Sequence, residues 1–148
     1  MPKKKIGVIG AMDSEVGALI ALLEEHRTET VGGIIFHTGC IFGREVVIAR
    51  CGIGKVFAAM CAQTMILTYA LDLLINTGIG GAIGGDLHVG DVVIADRLGQ
   101  HDMDTSAVGD PIGMVSGINK VFFETDPDVT GFLLQSGRAL GFQTKTGT

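Results

Sequence analysis

One stretch restricts the fold of these 148 residues more than any other. Ile6-Gly7-Val8-Ile9-Gly10 is a short apolar run, and Val16, Leu19, Ile20 and Leu23 then fall at i, i+3, i+4 and i+7. A strand must therefore turn, within a few residues, into a helix with one apolar face, and Asp13 is its predicted N-cap. Two further glycine turns, Cys51-Gly52-Ile53-Gly54-Lys55 and Asn76-Thr77-Gly78-Ile79-Gly80-Gly81, also follow β-like runs. In a parallel or mixed α/β sheet such turns gather at one end of the strands. A small-molecule pocket is expected there, with the Glu15 carboxylate beside exposed backbone.

The same reading extends along the chain. The first strand is placed at Lys5 to Gly10. Ile34 to Ile41 and Glu45 to Arg50, rich in β-branched residues, are predicted as a hairpin around Phe42-Gly43-Arg44. Lys55 to Ala70 reads as a buried helix, and Leu73 to Thr77 and Asp91 to Asp96 as strands, giving a sheet of at least five strands. Gly99 to Gly117 has no period and exceeds the ~12–15 residues usual for a structureless loop, so it is expected to cover something. Val121 to Glu124 reads as a strand, Asp126-Pro127 as the start of a helix that Gly141 ends, and Phe142 to Thr148 as the opening of another strand.

Charge excludes several function classes. The net charge of −5, with no Arg/Lys stripe and no Trp, argues against a nucleic-acid surface, which needs clustered cations and stacking rings. Lys3-Lys4-Lys5 is not followed by a signal-peptide core, because Asp13 and Glu15 break the apolar segment. The uncharged run Val56 to Leu71 is interrupted by Gln63, Thr64, Thr68 and Tyr69 and is too short to span a bilayer. Cys40, Cys51 and Cys61 lack CxxC spacing and fit a reducing compartment, so the cytoplasm is expected. Charged residues make up 18% of the chain, against about 25% in an average domain, which implies a covered face beyond the monomer core.

The common cofactor motifs do not fit. Ile83 stands where a dinucleotide fingerprint needs its third glycine, and Val56 stands where a phosphate loop needs Ser or Thr. His101-Asp102-Met103-Asp104 has no second ligand cluster at metal spacing, so a loop-stabilising hydrogen-bond role is expected of it. No cofactor and no metal are predicted. Taken singly, Glu15 also reads as a first-turn acid that stabilises the helix dipole by ~0.3–1 kcal/mol. Met12 and Ile53 read as packing residues, and the glycines as conformational necessities.

Together the segments carry a resemblance. Ile6 to Met12 with Glu15, Gly52 to Val56, Ile75-Asn-Thr-Gly78 with Gly80-Gly81, Val89 to Val93 and His101 to Asp104 resemble the N-terminal part of the 5′-methylthioadenosine/S-adenosylhomocysteine nucleosidases, in the nucleoside phosphorylase/hydrolase superfamily. The resemblance covers essentially all of the chain. It implies a three-layer α/β/α sandwich with a central mixed, twisted sheet whose C-terminal part is absent, so that residues 1–148 form a single, incomplete domain. It implies a homodimer that hydrolyses the N-glycosidic bond of 5′-methylthioadenosine and S-adenosylhomocysteine, releasing adenine in methionine salvage.

The family's site residues carry over by position. Glu15 matches the carboxylate that activates water. Ile79, Gly80 and Gly81 match the backbone lining the substrate, Met12 and Ile53 match walls of the ribose and 5′ side, and the Val108 region matches a loop reaching across the dimer to the thioalkyl pocket. The family's purine acid and its Met-Glu ribose segment have no counterpart in this sequence. Gly10 to Val16 contains no cation, so water is expected as the nucleophile rather than phosphate. Two alternatives stay open: a purine nucleoside phosphorylase-type enzyme, and a non-catalytic adenosine-ligand binding module.

Overall fold

The computed structural model describes residues 4–148, and Lys3 of the basic run lies outside them. The chain divides into two compact units, the first running to Gly81 and the second comprising Ala82–Thr148. In the first, β1 (Ile6–Gly10), α1 (Asp13–Ile20), β2 (Glu24–Val31), β3 (Ile34–Ile41), β4 (Arg44–Arg50), α2 (Lys55–Tyr69) and β5 (Leu73–Asn76) follow in order. The strands form one five-stranded sheet ordered β2-β3-β4-β1-β5. β1 runs parallel to both β4 and β5, whereas β2, β3 and β4 are joined antiparallel. The sheet is mixed, as expected.

Side chains alternate across a strand, so consecutive residues serve opposite faces. Val8, Val46 and Ile48 pack with Val16 of α1, while Ile9, Val47 and Ala49 pack with Cys61 and Met65 of α2. The two helices therefore cover opposite faces, and helix, sheet and helix make three layers. Val16, Phe36, Ile48, Cys61 and Met65 are fully buried. Full burial of an aliphatic or aromatic side chain contributes about 1.5–3 kcal/mol, so these few positions supply much of what fixes the unit.

Three expectations need correction. Met12, not Asp13, is the N-cap of α1, because the chain stays extended one residue longer and Asp13 begins the helix. α1 stops at Ile20, yet Leu23 still packs against its core cluster. α2 is only half buried: Cys61 and Met65 meet the sheet, whereas Val56, Phe57, Met60 and Leu67 are exposed. A helix apolar all round presents more hydrophobic surface than one sheet face covers. β2, a strand of polar residues at the sheet edge, is an element for which the sequence reading had no assignment. Gly32 and Gly33, both at positive φ, turn it into β3 as a two-residue hairpin, the geometry that Phe42 and Gly43 repeat between β3 and β4.

In the second unit β6 (Val92–Ala95) pairs parallel with β9 (Thr144–Gly147), and β7 (Arg97–Gly99) pairs antiparallel with β8 (Phe122–Glu124). The strand expected at Asp91 to Asp96 thus takes its partner from the end of the chain instead of joining the five-stranded sheet. α3 (Pro127–Ala139) starts where Asp126-Pro127 predicts, with the Asp126 carboxylate accepting from the N–H groups of Asp128 and Val129 at 3.0 and 3.1 Å. The long loop is ordered around Asp110, whose Oδ2 accepts from Thr105 at 2.9 Å and Ser116 at 2.6 Å. Those bonds hold its carboxyl below the usual range. Asp104 Oδ1 accepts from the Ser106 N–H at 3.0 Å, at the start of a short 3-10 turn, Ser106–Val108.

Candidate active site

The C-terminal ends of β1, β4 and β5 are tied together by backbone hydrogen bonds. Cys51 N–H donates to Gly10 O and Thr77 N–H to Ile9 O, each at 2.9 Å. The Met12, Cys51 and Thr77 turns are therefore held at one end of the sheet, where the sequence pattern puts them. Glu15 joins two of them. Its Oε2 accepts from the Met12 N–H and its Oε1 from the Ile79 N–H, both at 2.9 Å. The first is the acidic half of a capping box, reaching back from the third helical residue to the N-cap. The second spans 64 residues of chain.

Space for this arrangement depends on two glycines. A Cβ on Gly78 would lie 2.7 Å from Glu15 Oε1, and one on Gly10 would lie 2.8 Å from Val16 Cγ1 and 3.1 Å from Thr77 O. No other residue type fits either position without displacing the carboxylate or the turn. Gly80 and Gly81 differ, since an added Cβ there meets nothing. The backbone after Ile79 is open to approach.

The Ile79 and Met12 amides, in that order, hold the Glu15 carboxyl below the usual range, so it is ionised at neutral pH. A carboxylate offers about four lone-pair directions; the Ile79 and Met12 amides take two, and the Ala11 amide adds a smaller lowering. Beneath the turn, Cys51 is buried, its thiol pushed up by burial with a smaller contribution from the Glu15 charge. Met12, Ile53 and Ile79 expose 36%, 75% and 78% of their surface, which leaves an apolar rim around the carboxylate's turns. Val108 belongs to the second unit, at the end of the 3-10 turn, and is also exposed.

The sequence reading missed two participants. Arg50, the last residue of β4, pairs with Asp13 at 3.1 Å, so a cation does stand beside the first turn. Its position immediately before the Cys51-Gly52 turn was the available signal. The Ile79 N–H as a ligand of Glu15 had none, because every residue but proline carries that group. Two concavities open elsewhere, of about 250 Å³ beside Lys5, Arg27 and Tyr69 and about 490 Å³ beside Asp96, Thr125 and Thr130. Neither includes Glu15, and the case for the site rests on the convergence at the carboxylate.

Comparison with known proteins gives the family of the chain. The sequence profile of the Phosphorylase superfamily matches residues 5–148. The chain belongs to that superfamily. Among superfamily members, the 5′-methylthioadenosine/S-adenosylhomocysteine nucleosidase of Shewanella pealeana is 43% identical over 112 residues, which are 76% of this chain and 49% of that protein. The Aeromonas salmonicida nucleosidase is 42% identical over the same shares. The S-adenosylhomocysteine nucleosidase of Streptococcus pyogenes, solved with 5-methylthiotubericidin, superposes with a TM-score of 0.94 at 32% identity, over 99% of this chain and 62% of that one. The Neisseria meningitidis nucleosidase, solved with methylthio-immucillin-A, gives 0.93 at 34% identity, over 97% and 62%. The phosphorylase-superfamily fold is thus shared, and the chain spans about half the length of the curated relatives it matches.

Proposed function

We propose that this chain carries the water-activating half of a nucleosidase that hydrolyses the N-glycosidic bond of 5′-methylthioadenosine and S-adenosylhomocysteine, releasing adenine for methionine salvage. The observation behind this reading is the Glu15 carboxylate, held ionised by amides from two strand-end turns. Cleaving the bond to a purine builds positive charge on the ribosyl ring. A fixed carboxylate favours that charge and orients a water toward the anomeric carbon. Its lowered basicity suits a reaction in which the cation forms early and the water's proton is lost late.

The remaining residues take the roles that the family resemblance implies. Ile79, Gly80 and Gly81 line the nucleoside through backbone groups, and Met12 and Ile53 wall the ribose and its 5′ substituent. The Val108 loop closes the thioalkyl pocket of a second copy in a homodimer, and the exposed Val56, Phe57, Met60 and Leu67 of α2 supply apolar surface for that association. The cytoplasm, which keeps Cys40, Cys51 and Cys61 reduced, is the proposed compartment, and no helix among the described residues is long and apolar enough to cross a membrane. No cofactor enters the reaction.

The departing adenine needs a proton, and the resemblance assigns its donor to the C-terminal portion of the family. Residues 1–148 by themselves are therefore expected to bind adenine thionucleosides and turn them over slowly. In the intact enzyme, Glu15→Gln should lower adenine release by about 10²–10⁴-fold, the scale of a general base. In the 148-residue chain the same substitution should abolish the preference for a cationic ribose mimic over its neutral isostere. An unaltered preference and unaltered release would remove Glu15 from the mechanism. Arg50 beside the first turn gives a phosphorolytic reading one observation in its favour. Adenine release that requires inorganic phosphate would establish it.

A further inference from the structure

Away from the Glu15 turn, His26 and His37 face each other across the hairpin of β2 and β3. His26 Nε2 lies 2.9 Å from His37 Nδ1, and the ring centroids are 5.1 Å apart. The placement follows from an irregularity in the ladder. Glu24 pairs with Cys40 but Arg27 pairs with Thr38, so one strand gains a residue between them, and Glu25 there adopts a positive φ of 53°. Such bulges re-aim the neighbouring side chain, and here that side chain is His26. β2 is the sheet edge, and His26 is exposed.

The separation has a chemical meaning beyond a hydrogen bond. Two nitrogens that each sit ~2.0–2.1 Å from one metal, at ~90° to each other, are ~2.9 Å apart. The hairpin thus holds the two nitrogens at the separation a cis chelate needs, with a turn of the exposed His26 ring required to aim both lone pairs at one ion.

We propose that His26 and His37 form a two-histidine chelate for a divalent transition-metal ion of the nickel, copper and zinc class, with His26 Nε2 and His37 Nδ1 as protein ligands and water completing the shell. Among the described residues no cluster of three or more His, Cys, Asp or Glu is placed to hold a metal, so the pair supplies two ligands and no more. Two dative bonds form and two metal-bound waters leave. The proton shared between the rings passes, through solvent, to the outer nitrogen of the ring that carried it. Nothing is oxidised or reduced. The consequence is a metal clip on the edge hairpin, separate from the expectation of a metal-free active site.

Ni²⁺ is the suitable probe, because it prefers 90° angles and does not oxidise the cysteines. Added to the full chain, it should bind one-to-one by calorimetry and broaden the ring proton signals of His26 and His37 first. His26→Gln and His37→Gln should each weaken binding by about tenfold or more, whereas His88→Gln and His101→Gln should leave it unchanged. Equal affinity in all four variants, broadening confined to His88 or His101, or no binding at all would reduce the pair to a hydrogen bond and overturn the proposal. Should either hairpin variant fail to fold, the broadening pattern of the unsubstituted chain decides the matter. None of these outcomes depends on nucleosidase activity.

Discussion

The two compact units are built on different terms. Every fully or nearly fully buried apolar side chain, from Val8 to Met65, belongs to the first unit, whereas the buried polar residues of the second are Thr130 and Thr144. In the first, alternating residues of β1 and β4 feed two cores, one beneath each helix. In the second, order comes from polar connections: Asp126 at the N-terminus of α3, Asp110 tying Thr105 to Ser116, and Thr125 bonding to Thr130 at 2.9 Å. Phe132, Leu140 and Phe142 remain exposed. Both units leave apolar side chains uncovered, but only the first closes an apolar core that specifies it, whereas the second is held mainly by hydrogen bonds.

Substitutions can break that contrast. Phe36→Ala, in the first core, should cost ~3–5 kcal/mol in denaturant unfolding, and Phe132→Ala, whose ring is 67% exposed, well under half of that. Equal losses would show that the second unit has a core of its own. Next in size is Gly78→Ala. Forcing a Cβ against Glu15 Oε1 should cost ~1–3 kcal/mol and return the Glu15 carboxyl toward its usual value, as read by carboxyl NMR titration. The sign follows from linkage: the folded state lowers this group's pKa, so its contribution is present above 4.5 and lost as pH falls through the lowered value. Gly78→Ala should flatten that acid dependence. The cap substitution Asp126→Ala should remove ~1 kcal/mol, detectable as faster amide exchange at Asp128 and Val129. Smallest is Asp13→Asn, which breaks an exposed ion pair with Arg50 and should change stability by under ~1 kcal/mol.

The division into two units was not legible in the sequence, which reads as one domain, but many of the elements were. β1, β3, β4 and α2 announce themselves through apolar and β-branched runs because each is packed on at least one side. β2 does not, since an edge strand of Glu, His, Arg and Thr carries no core-facing alternation, and only Gly32-Gly33 marked its turn. Asp126-Pro127 located α3 through backbone chemistry that needs no tertiary context. At the candidate site, Glu15 and the three turns were readable from spacing. The Ile79 amide that fixes the carboxylate was not, and neither was the steric demand on Gly78, because both arise only when residues 64 positions apart meet.

The burial of Cys51 has one more consequence. Its thiol is shielded directly below the three joined strand ends, and Cys61 lies deeper still, with burial pushing it up to about 11, while Cys40 alone is partly accessible. An alkylating reagent should consume Cys40 rapidly and reach Cys51 only when the sheet end parts. The slow phase of that reaction is then a built-in clock for how often this end of the sheet opens, read without any introduced label.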